Sequence, residues 1–383
     1  PFEEASRWVS ALMSMGTLWL TFLIGKRVKN EGVGFTASLL LMTCGLYIWL
    51  MGNGNIDTTL TFFTTLSFWM YLSWERTGKT GWIFGAYAAC GAGILAKGPV
   101  GLLLPWLTFT VWAGMAFYRG ERPRLLHLAW GPVISLAIVG IWLVPACIAG
   151  GEEYTRLILF KQNFGRAVSS FSHVRPWYYF FTQFPGLSMP WFILMLAAVP
   201  DFREGFKGKD RTFLFFMVWF VTVFVFFSLL SGKRGRYLLP AFPAFCLAIS
   251  CVLHRWEERR SGTARSLRII GGIIGVFSLC LMGFPAVGSR LGNAVPSLEL
   301  FEAPLSYWRL AGLYGSGVCL LAVLWRIFKT RKISGQVAVG RGLAVGVLLL
   351  LGMVQIYYVP GIDPVKSVLK ASKAVQSALP DGG

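Results

Sequence analysis

The sequence has few charged residues, and acidic residues are the scarcest of them. Only 14% of the 383 residues are charged, and 17 Asp and Glu stand against 36 Lys and Arg. A soluble domain carries about 25% charged residues. Hydrophobic residues make up 55% of the chain, and they fall in runs of roughly 17 to 25 residues, long enough to cross a bilayer as helices. These proportions exclude an ordinary soluble domain and predict a polytopic membrane protein.

Cysteine and histidine motifs are lacking as well. The seven cysteines form no CxxC pair and no Cys/His spacing typical of a metal site. They fall inside or at the edges of apolar runs, where we expect them to pack as small core residues. His127 and His173 have no partner at metal-ligand spacing. The residues alone therefore predict neither a disulfide nor a metal held by the protein.

About twelve apolar runs follow one another, and we predict a transmembrane helix in each. Tryptophans stand at the ends of several runs, among them Trp8 and Trp74, as interfacial anchors do. The first run starts almost at Pro1, with no signal peptide before it, so we expect the chain to be a piece of a longer protein. The runs lie near 8–25, 33–51, 58–74, 81–96, 99–118, 126–149, 178–199, 212–230, 237–253, 269–288, 310–325 and 342–360.

The basic residues predict an orientation. If the first run crosses from outside to inside, the inner loops hold 22 Lys and Arg and the outer segments hold 14, so none lies deep in a run. Cytoplasmic loops collect basic residues in this way. This tendency explains the net charge of +19 better than nucleic-acid binding does, and we expect no nucleic-acid partner. The cations that remain on the outer face, in the loops 150–177 and 231–240, need a separate reason.

Two outer segments have a helical apolar pattern. In the loop 150–177, the spacing of Phe160, Phe164 and their apolar neighbours predicts a short amphipathic helix lying in the membrane interface. The tail 361–383 has a similar stripe and is predicted to begin an outer soluble domain that is truncated at residue 383. Residues 1–360 are then the transmembrane domain.

Four charged features of the outer face predict one site. Asp57 opens the third run, Lys97 ends the fourth, and further cations lie in the two outer loops. Two to four cations around one carboxylate suit a phosphate or pyrophosphate, which Arg binds with two hydrogen bonds and Lys meets as a point charge. The candidate residues for binding such a group are Asp57, Lys97, Lys161, Arg166, Arg175, Lys233, Arg234, Arg236 and Tyr237.

Each of these residues also has a plain structural interpretation. Asp57 can be an acid of the N-cap region, because Asn55 or Asp57 before Thr58 is a normal helix start. Lys97 can extend its long side chain to the membrane interface and do nothing more. Any one cation of the 232–236 segment can contact a phospholipid headgroup instead of a substrate, so membrane lipids are also expected partners.

Four segments resemble the GT-C glycosyltransferases in order and spacing: "NGNIDTTLTFFTTLSFWMYL", "GAGILAKGPVGLLLP", "FKQNFGRA" with "HVRPWYYF", and "SGKRGRYLLPAFPAF". The similarity is greatest to the lipid A aminoarabinose transferases and to related bacterial members of the protein mannosyltransferase-like group. It spans roughly residues 1–375. The resemblance implies an all-α polytopic enzyme of the bacterial inner membrane with its active site facing the periplasm.

The resemblance also implies the chemistry. Such enzymes take a sugar from a polyprenyl-phosphate carrier and pass it to a lipid acceptor, such as lipid A or lipopolysaccharide, or to a protein. In relatives, the acid matching Asp57 and the lysine matching Lys97 line the cavity. The tyrosine matching Tyr237 and nearby cations lie close to the carrier phosphate. The chain is therefore expected to act as a hexosyl- or pentosyltransferase.

This chain departs from the family pattern in two places. The family's catalytic acid lies in the first outer loop after a first helix, which this chain is expected to lack, so its catalytic residue is unknown. Glu3 and Glu4 are poor candidates for the base, and we expect the fragment alone to be inactive. The long loop has Gln162 and Asn163 where aminoarabinose transferases often show a Glu-His pair that helps bind a metal. No cofactor is certain, and the use of a divalent metal is left open.

Other functions fit the same residues. A protein O-mannosyltransferase or a core or O-antigen sugar transferase would share the fold, and an inactive scaffold is a further alternative. A transporter or flippase for lipid-linked sugars belongs to a different class. A transporter is expected to have broken helices in corresponding halves and a polar site at the midplane. The charged residues of this chain cluster at one face instead, which favours the enzyme.

Overall fold

The computed structural model describes residues 2–156, 174–202, 210–258 and 336–357, and separate positions between 271 and 325. The first unit of the chain, residues 1–261, contains α1 to α11, and the second unit, residues 262–383, contains α12. The helices are α1 (Phe2–Val28), α2 (Glu31–Met42), α3 (Gly45–Gly52), α4 (Ile56–Thr77), α5 (Thr80–Lys97), α6 (Val100–Tyr118), α7 (Leu126–Arg156), α8 (Tyr179–Leu187), α9 (Phe192–Ala197), α10 (Arg211–Leu229), α11 (Phe242–Glu258) and α12 (Gln336–Tyr357), with a 3₁₀ helix over Gly235–Ala241.

The predicted all-α membrane architecture is confirmed. In the described residues, five helices are long and apolar enough to cross a membrane, and the bent pair α2–α3 makes a sixth if it forms one span. The runs at 58–74 and 81–96 are also helical, as α4 and α5. The runs at 269–288 and 310–325 lie largely outside the described residues, as does the tail 361–383. The total of about twelve spans and the division at residue 360 therefore stay predictions.

Two apolar runs that we predicted as single spans are broken. The run 33–51 is formed by α2 and α3, which meet at an angle of 67°. At this bend, Thr43 Oγ1 donates to the carbonyl oxygens of Leu39 at 2.8 Å and Leu40 at 2.9 Å, so the helix end is satisfied locally. The run 178–199 is formed by the short helices α8 and α9, because Pro190 between them has no amide hydrogen with which to continue the helix.

The helix α4 directs its polar side chains into the protein. It packs against α1 and α5, and the hydroxyls of Thr61 and Thr65 each donate to the carbonyl four residues earlier, both at 2.7 Å. These bonds satisfy the hydroxyls without water. Trp74 was predicted as an interfacial anchor. It is instead buried near the C-terminal end of α4, and its ring lies 4.9 Å from that of His127.

The ends of three helical elements meet near the start of α4. The turn between α5 and α6 is tight: Gly98 has φ +79°, and a Cβ on Gly101 would lie 2.1 Å from a backbone carbon of Gly93. The 3₁₀ helix packs against α4 and α10, and Trp219 of α10 donates to the Pro240 carbonyl at 3.0 Å. These contacts place Lys97 and the residues after Arg234 beside Asp57.

Candidate functional site

Asp57 lies at the centre of a charged cluster, and its side chain is 1% exposed. The ammonium of Lys97 donates a hydrogen bond to Asp57 Oδ1, and Arg236 Nε lies 3.4 Å from Asp57 Oδ2. A carboxylate this deeply buried requires such partners, because a desolvated and unpaired charge is strongly unfavourable. Asp57 thus joins the start of α4 to the end of α5 and to the 3₁₀ helix.

The cations of the cluster exceed its acid. Besides its bond to Asp57, Lys97 lies 4.4 Å above the centre of the Tyr237 ring, and Arg234 and Arg236 both repel it electrostatically. Arg236 Nε is buried and has no hydrogen-bond partner among the described residues. The cluster therefore has a net positive charge, and the Arg236 side chain that contributes to it is 32% exposed.

The start of α4 shows which residue caps the helix. Asn55, with extended backbone angles, is the N-cap, and its side-chain oxygen accepts a hydrogen bond from the amide of Asp57 at 2.9 Å. Asp57 lies in the first turn, within the N-cap region as predicted, and its carboxylate faces Lys97 and Arg236. Lys97 likewise does more than reach the interface, because it pairs with the buried acid.

Two of the predicted cations have other surroundings. Lys233 is 4% exposed and donates to the carbonyl oxygens of Leu230 and Arg175, the latter at 3.0 Å. Burial lowers the pKa of Lys233. The guanidinium of Arg175 lies 5.9 Å above the ring of Tyr179. Lys233 thus acts on the backbone of the outer loop rather than as a free cation beside Asp57.

The outer loop and the segment after α10 are joined by their backbones. Val174 and Gly232 form an antiparallel bridge, and the amide of Arg175 donates to the Ser231 carbonyl at 3.3 Å. Residues 157–173 are outside the described part of the chain, so the predicted amphipathic helix is not tested. The roles predicted for Lys161 and Arg166 also stay predictions.

Comparison with known proteins identifies similar transferases. The family model of the dolichyl-phosphate-mannose-protein mannosyltransferases matches residues 2–144. Undecaprenyl phosphate-alpha-4-amino-4-deoxy-L-arabinose arabinosyl transferase 1 of Pseudomonas fluorescens strain Pf0-1 is 27% identical over 355 residues, which cover 89% of this chain and 59% of that protein. Transferase 2 of the same strain is 28% identical over 320 residues, which cover 80% of this chain and 56% of that protein.

Solved structures show the same architecture. The crystal structure of ArnT from Cupriavidus metallidurans bound to undecaprenyl phosphate matches with a TM-score of 0.68 at 21% identity, over 94% of this chain and 64% of ArnT. The apo form matches with a TM-score of 0.67. The chain has the GT-C fold of ArnT. The resemblance found in the sequence is confirmed at this level, and the chain spans just under two thirds of the ArnT chain.

Within this GT-C fold, the described residues do not form a metal site. In residues 2–156, 174–202, 210–258 and the other described positions, no three His, Cys, Asp or Glu side chains are placed to hold an ion. His127 is buried, and its Nδ1 lies 3.0 Å from the Tyr87 hydroxyl. Asp57, the acid of the cluster, is paired with Lys97 and Arg236, which leaves it a poor cation ligand.

The sequence did not point to Ser10 of α1. This serine is 2% exposed and hydrogen-bonds both main-chain groups of Asn55, two residues before Asp57. A signal was present: Ser10, Ser14, Thr17 and Thr21 recur at helical spacing inside the first apolar run, and all four are buried. Such a polar stripe marks the inward face of a membrane helix.

The role of Lys233 leads to a prediction about the outer loop of this GT-C fold. Replacing Lys233 with methionine removes a charged donor from the Arg175 and Leu230 carbonyls, and such hydrogen bonds contribute about 1.5–3 kcal/mol each. We expect amide exchange in the peptide that begins at Val174 to become faster by about tenfold or more. Hydrogen–deuterium exchange measured by mass spectrometry gives the rate.

The matched control for Lys233 is its neighbour Arg234, whose side chain is half-buried in the same segment. Replacing Arg234 with methionine should leave exchange in the 174–181 region unchanged, because the Arg234 side chain makes no hydrogen bond to this region in the described residues. Equal exchange rates in both variants would show that Lys233 does not hold the loop.

Proposed function

We propose that this chain is the membrane part of a glycosyltransferase that moves a sugar from polyprenyl phosphate to a lipid acceptor of the lipid A type. The reaction is placed at the periplasmic face of the bacterial inner membrane. The observation that carries the proposal is the buried Asp57 carboxylate between Lys97 and Arg236, where helix ends meet. The two Pseudomonas relatives are undecaprenyl phosphate-alpha-4-amino-4-deoxy-L-arabinose arabinosyl transferases, which supports a pentose as the sugar.

The charge of the cluster supports a role in bond cleavage. A polyprenyl-phosphate sugar is a phosphodiester with one negative charge, whereas the polyprenyl phosphate that leaves is a monoester with up to two at neutral pH. Lys97 and Arg236 therefore interact more strongly with the leaving group as the glycosidic bond breaks. Interactions that strengthen in this way accelerate the reaction.

Each member of the cluster has a distinct part in this proposal. Lys97 and the guanidinium of Arg236 bind the phosphate oxygens. Asp57 holds the two cations close together, since two desolvated positive charges would otherwise repel each other. Tyr237 packs under the ammonium of Lys97 and limits its movement. The carboxylate of Asp57 is thus an organiser of the anion site rather than the group that deprotonates the acceptor.

The identity of the acceptor is the second part of the proposal. An acceptor hydroxyl needs a base, whereas an acceptor phosphate, as found on lipid A, needs no strong base. The family model that matches residues 2–144 describes protein mannosyltransferases, and this match favours transfer of mannose to protein as the second candidate. A lipid-linked-sugar transporter remains the alternative from another class.

The proposal is tested with the chain purified in lipid nanodiscs. We expect it to bind undecaprenyl phosphate, and to bind undecaprenol, which lacks the phosphate, at least about tenfold more weakly. Titration followed by native mass spectrometry measures both affinities. Equal affinities would contradict a phosphate site in this cluster.

Transfer by the intact protein is measured with undecaprenyl-phosphate aminoarabinose and lipid A, and in parallel with polyprenyl-phosphate mannose and an acceptor peptide. Sugar on lipid A supports the first candidate, and mannose on the peptide supports the second. Movement of the donor across a proteoliposome membrane, without transfer to either acceptor, would favour the transporter.

A further inference from the structure

We propose that Ser10 is a positioning residue for the anion site, because it fixes the start of α4 from which Asp57 extends. This inference rests on the proposed function in one respect: the ligand it concerns is the phosphate of the polyprenyl carrier. Ser10 touches neither the ligand nor Lys97 in this scheme. It acts through Asn55 and Asp57.

One hydroxyl makes both contacts. Ser10 Oγ accepts a hydrogen bond from the amide of Asn55 at 2.7 Å and donates one to the Asn55 carbonyl at 3.2 Å. The residue before Asn55 also approaches α1 closely, since a Cβ on Gly54 would lie 2.1 Å from the hydroxyl oxygen of Ser6. The backbone of residues 54–55 therefore packs against α1 at both residues: Gly54 lies against Ser6, and Asn55 is hydrogen-bonded to Ser10.

The position of Asn55 determines the direction of Asp57. The side chain of Asn55 accepts from the Asp57 amide at 2.9 Å, and the Asn55 carbonyl accepts from the Thr58 hydroxyl at 2.6 Å. The first turn of α4 is thus built on one residue whose main chain is bound by Ser10. A small movement of this turn changes the separation of the Asp57 oxygens from Lys97 and Arg236, and charged sites lose much of their effect when misplaced by about 1 Å.

A comparable cap elsewhere in the protein has no such connection. Asn30 is the N-cap of α2, has extended backbone angles, and accepts from the Val33 amide at 2.8 Å. It lies at the opposite end of the helices from Asp57. Ser38 similarly donates across to the Leu18 carbonyl of α1 at 2.9 Å. Asn30 and Ser38 therefore make the same kinds of contact as Asn55 and Ser10 without touching the anion site.

The experiment measures undecaprenyl phosphate affinity and unfolding temperature for matched variants of the full chain in nanodiscs of zwitterionic lipid. We expect Ser10→Ala and Asn55→Ala to weaken binding about tenfold. At metal sites, the loss of a group that orients a metal-binding residue has an effect of this size. Ser38→Ala and Asn30→Ala should lower the unfolding temperature about as much as Ser10→Ala and Asn55→Ala do, but they should leave the affinity near that of the wild type. Ser10→Thr, which keeps the hydroxyl, should restore binding.

The outcomes separate this inference from the proposed function. If wild-type chain does not bind undecaprenyl phosphate, the proposed function fails. If the wild type binds and Ser10→Ala binds equally well, or if Ser38→Ala and Asn30→Ala weaken binding as much, Ser10 is only a structural residue. Should Ser10→Ala fail to fold, Ser10→Cys against Ser38→Cys decides the question by the same comparison, because a thiol is only a weak hydrogen-bond donor and acceptor.

Discussion

Replacement of Lys97 by alanine is expected to weaken undecaprenyl phosphate binding about 100-fold, since truncating one partner of a buried charge pair costs about 2–5 kcal/mol or more. Two effects act in the same direction. The phosphate loses a cation, and the Asp57 carboxylate loses a partner, so its negative charge repels the ligand more strongly. Sugar transfer by the intact protein should nearly disappear. Affinity is measured in nanodiscs, and transfer is measured with the sugar donor and lipid A.

The control for Lys97 is the lysine that flanks the same helix. Lys79 immediately precedes α5 at its opposite end, and its side chain is exposed. Replacing Lys79 with alanine removes the same charge from the protein as a whole but leaves the anion site intact. Affinity and transfer should then match those of the wild type. Near-normal binding in the Lys97 variant would remove Lys97 from the site and leave the cluster as a structural feature.

The charged cluster around Asp57 could be predicted from sequence because charged residues are scarce in this chain. An acid and a lysine at the ends of apolar runs must find partners or polar surroundings, since a desolvated charge is unfavourable. The outer ends of the predicted runs then bring Asp57, Lys97 and the segment 233–237 to the same face. The structure places Asp57, Lys97, Arg236 and Tyr237 in one cluster.

The separate roles of neighbouring cations could not be predicted. Lys233, Arg234 and Arg236 fall within four positions and look equivalent in the sequence. Only the bridge between Val174 and Gly232 brings the Arg175 carbonyl to Lys233. This contact joins segments that are 58 residues apart, and no local pattern specifies it.

The helix breaks were missed for a related reason. Average hydropathy over a run does not register a bend when a side chain satisfies the free backbone groups, as Thr43 does between α2 and α3. Averaging also hid the inward stripe of α1 that contains Ser10 and Ser14. On the same helix, Trp8, Leu12 and other large apolar residues are exposed, so α1 has its polar face inside and its apolar face outside, as expected in lipid.

Replacement of Asp57 by alanine is expected to lower the free energy of unfolding by about 3 kcal/mol or more, because it leaves Lys97 buried without its counter-charge. Adding Lys97→Met to the Asp57 variant should recover part of this loss, since the uncompensated charge is then gone.

Asp210→Ala serves as the control. Asp210 caps α10 and pairs with Lys29 at 3.4 Å in a more exposed setting, so its replacement should lower the free energy of unfolding by only about 1 kcal/mol. Unfolding in detergent with increasing denaturant measures all three. If the double variant is less stable than Asp57→Ala alone, Lys97 contributes to folding independently of Asp57, and the buried pair does not organise this end of the protein.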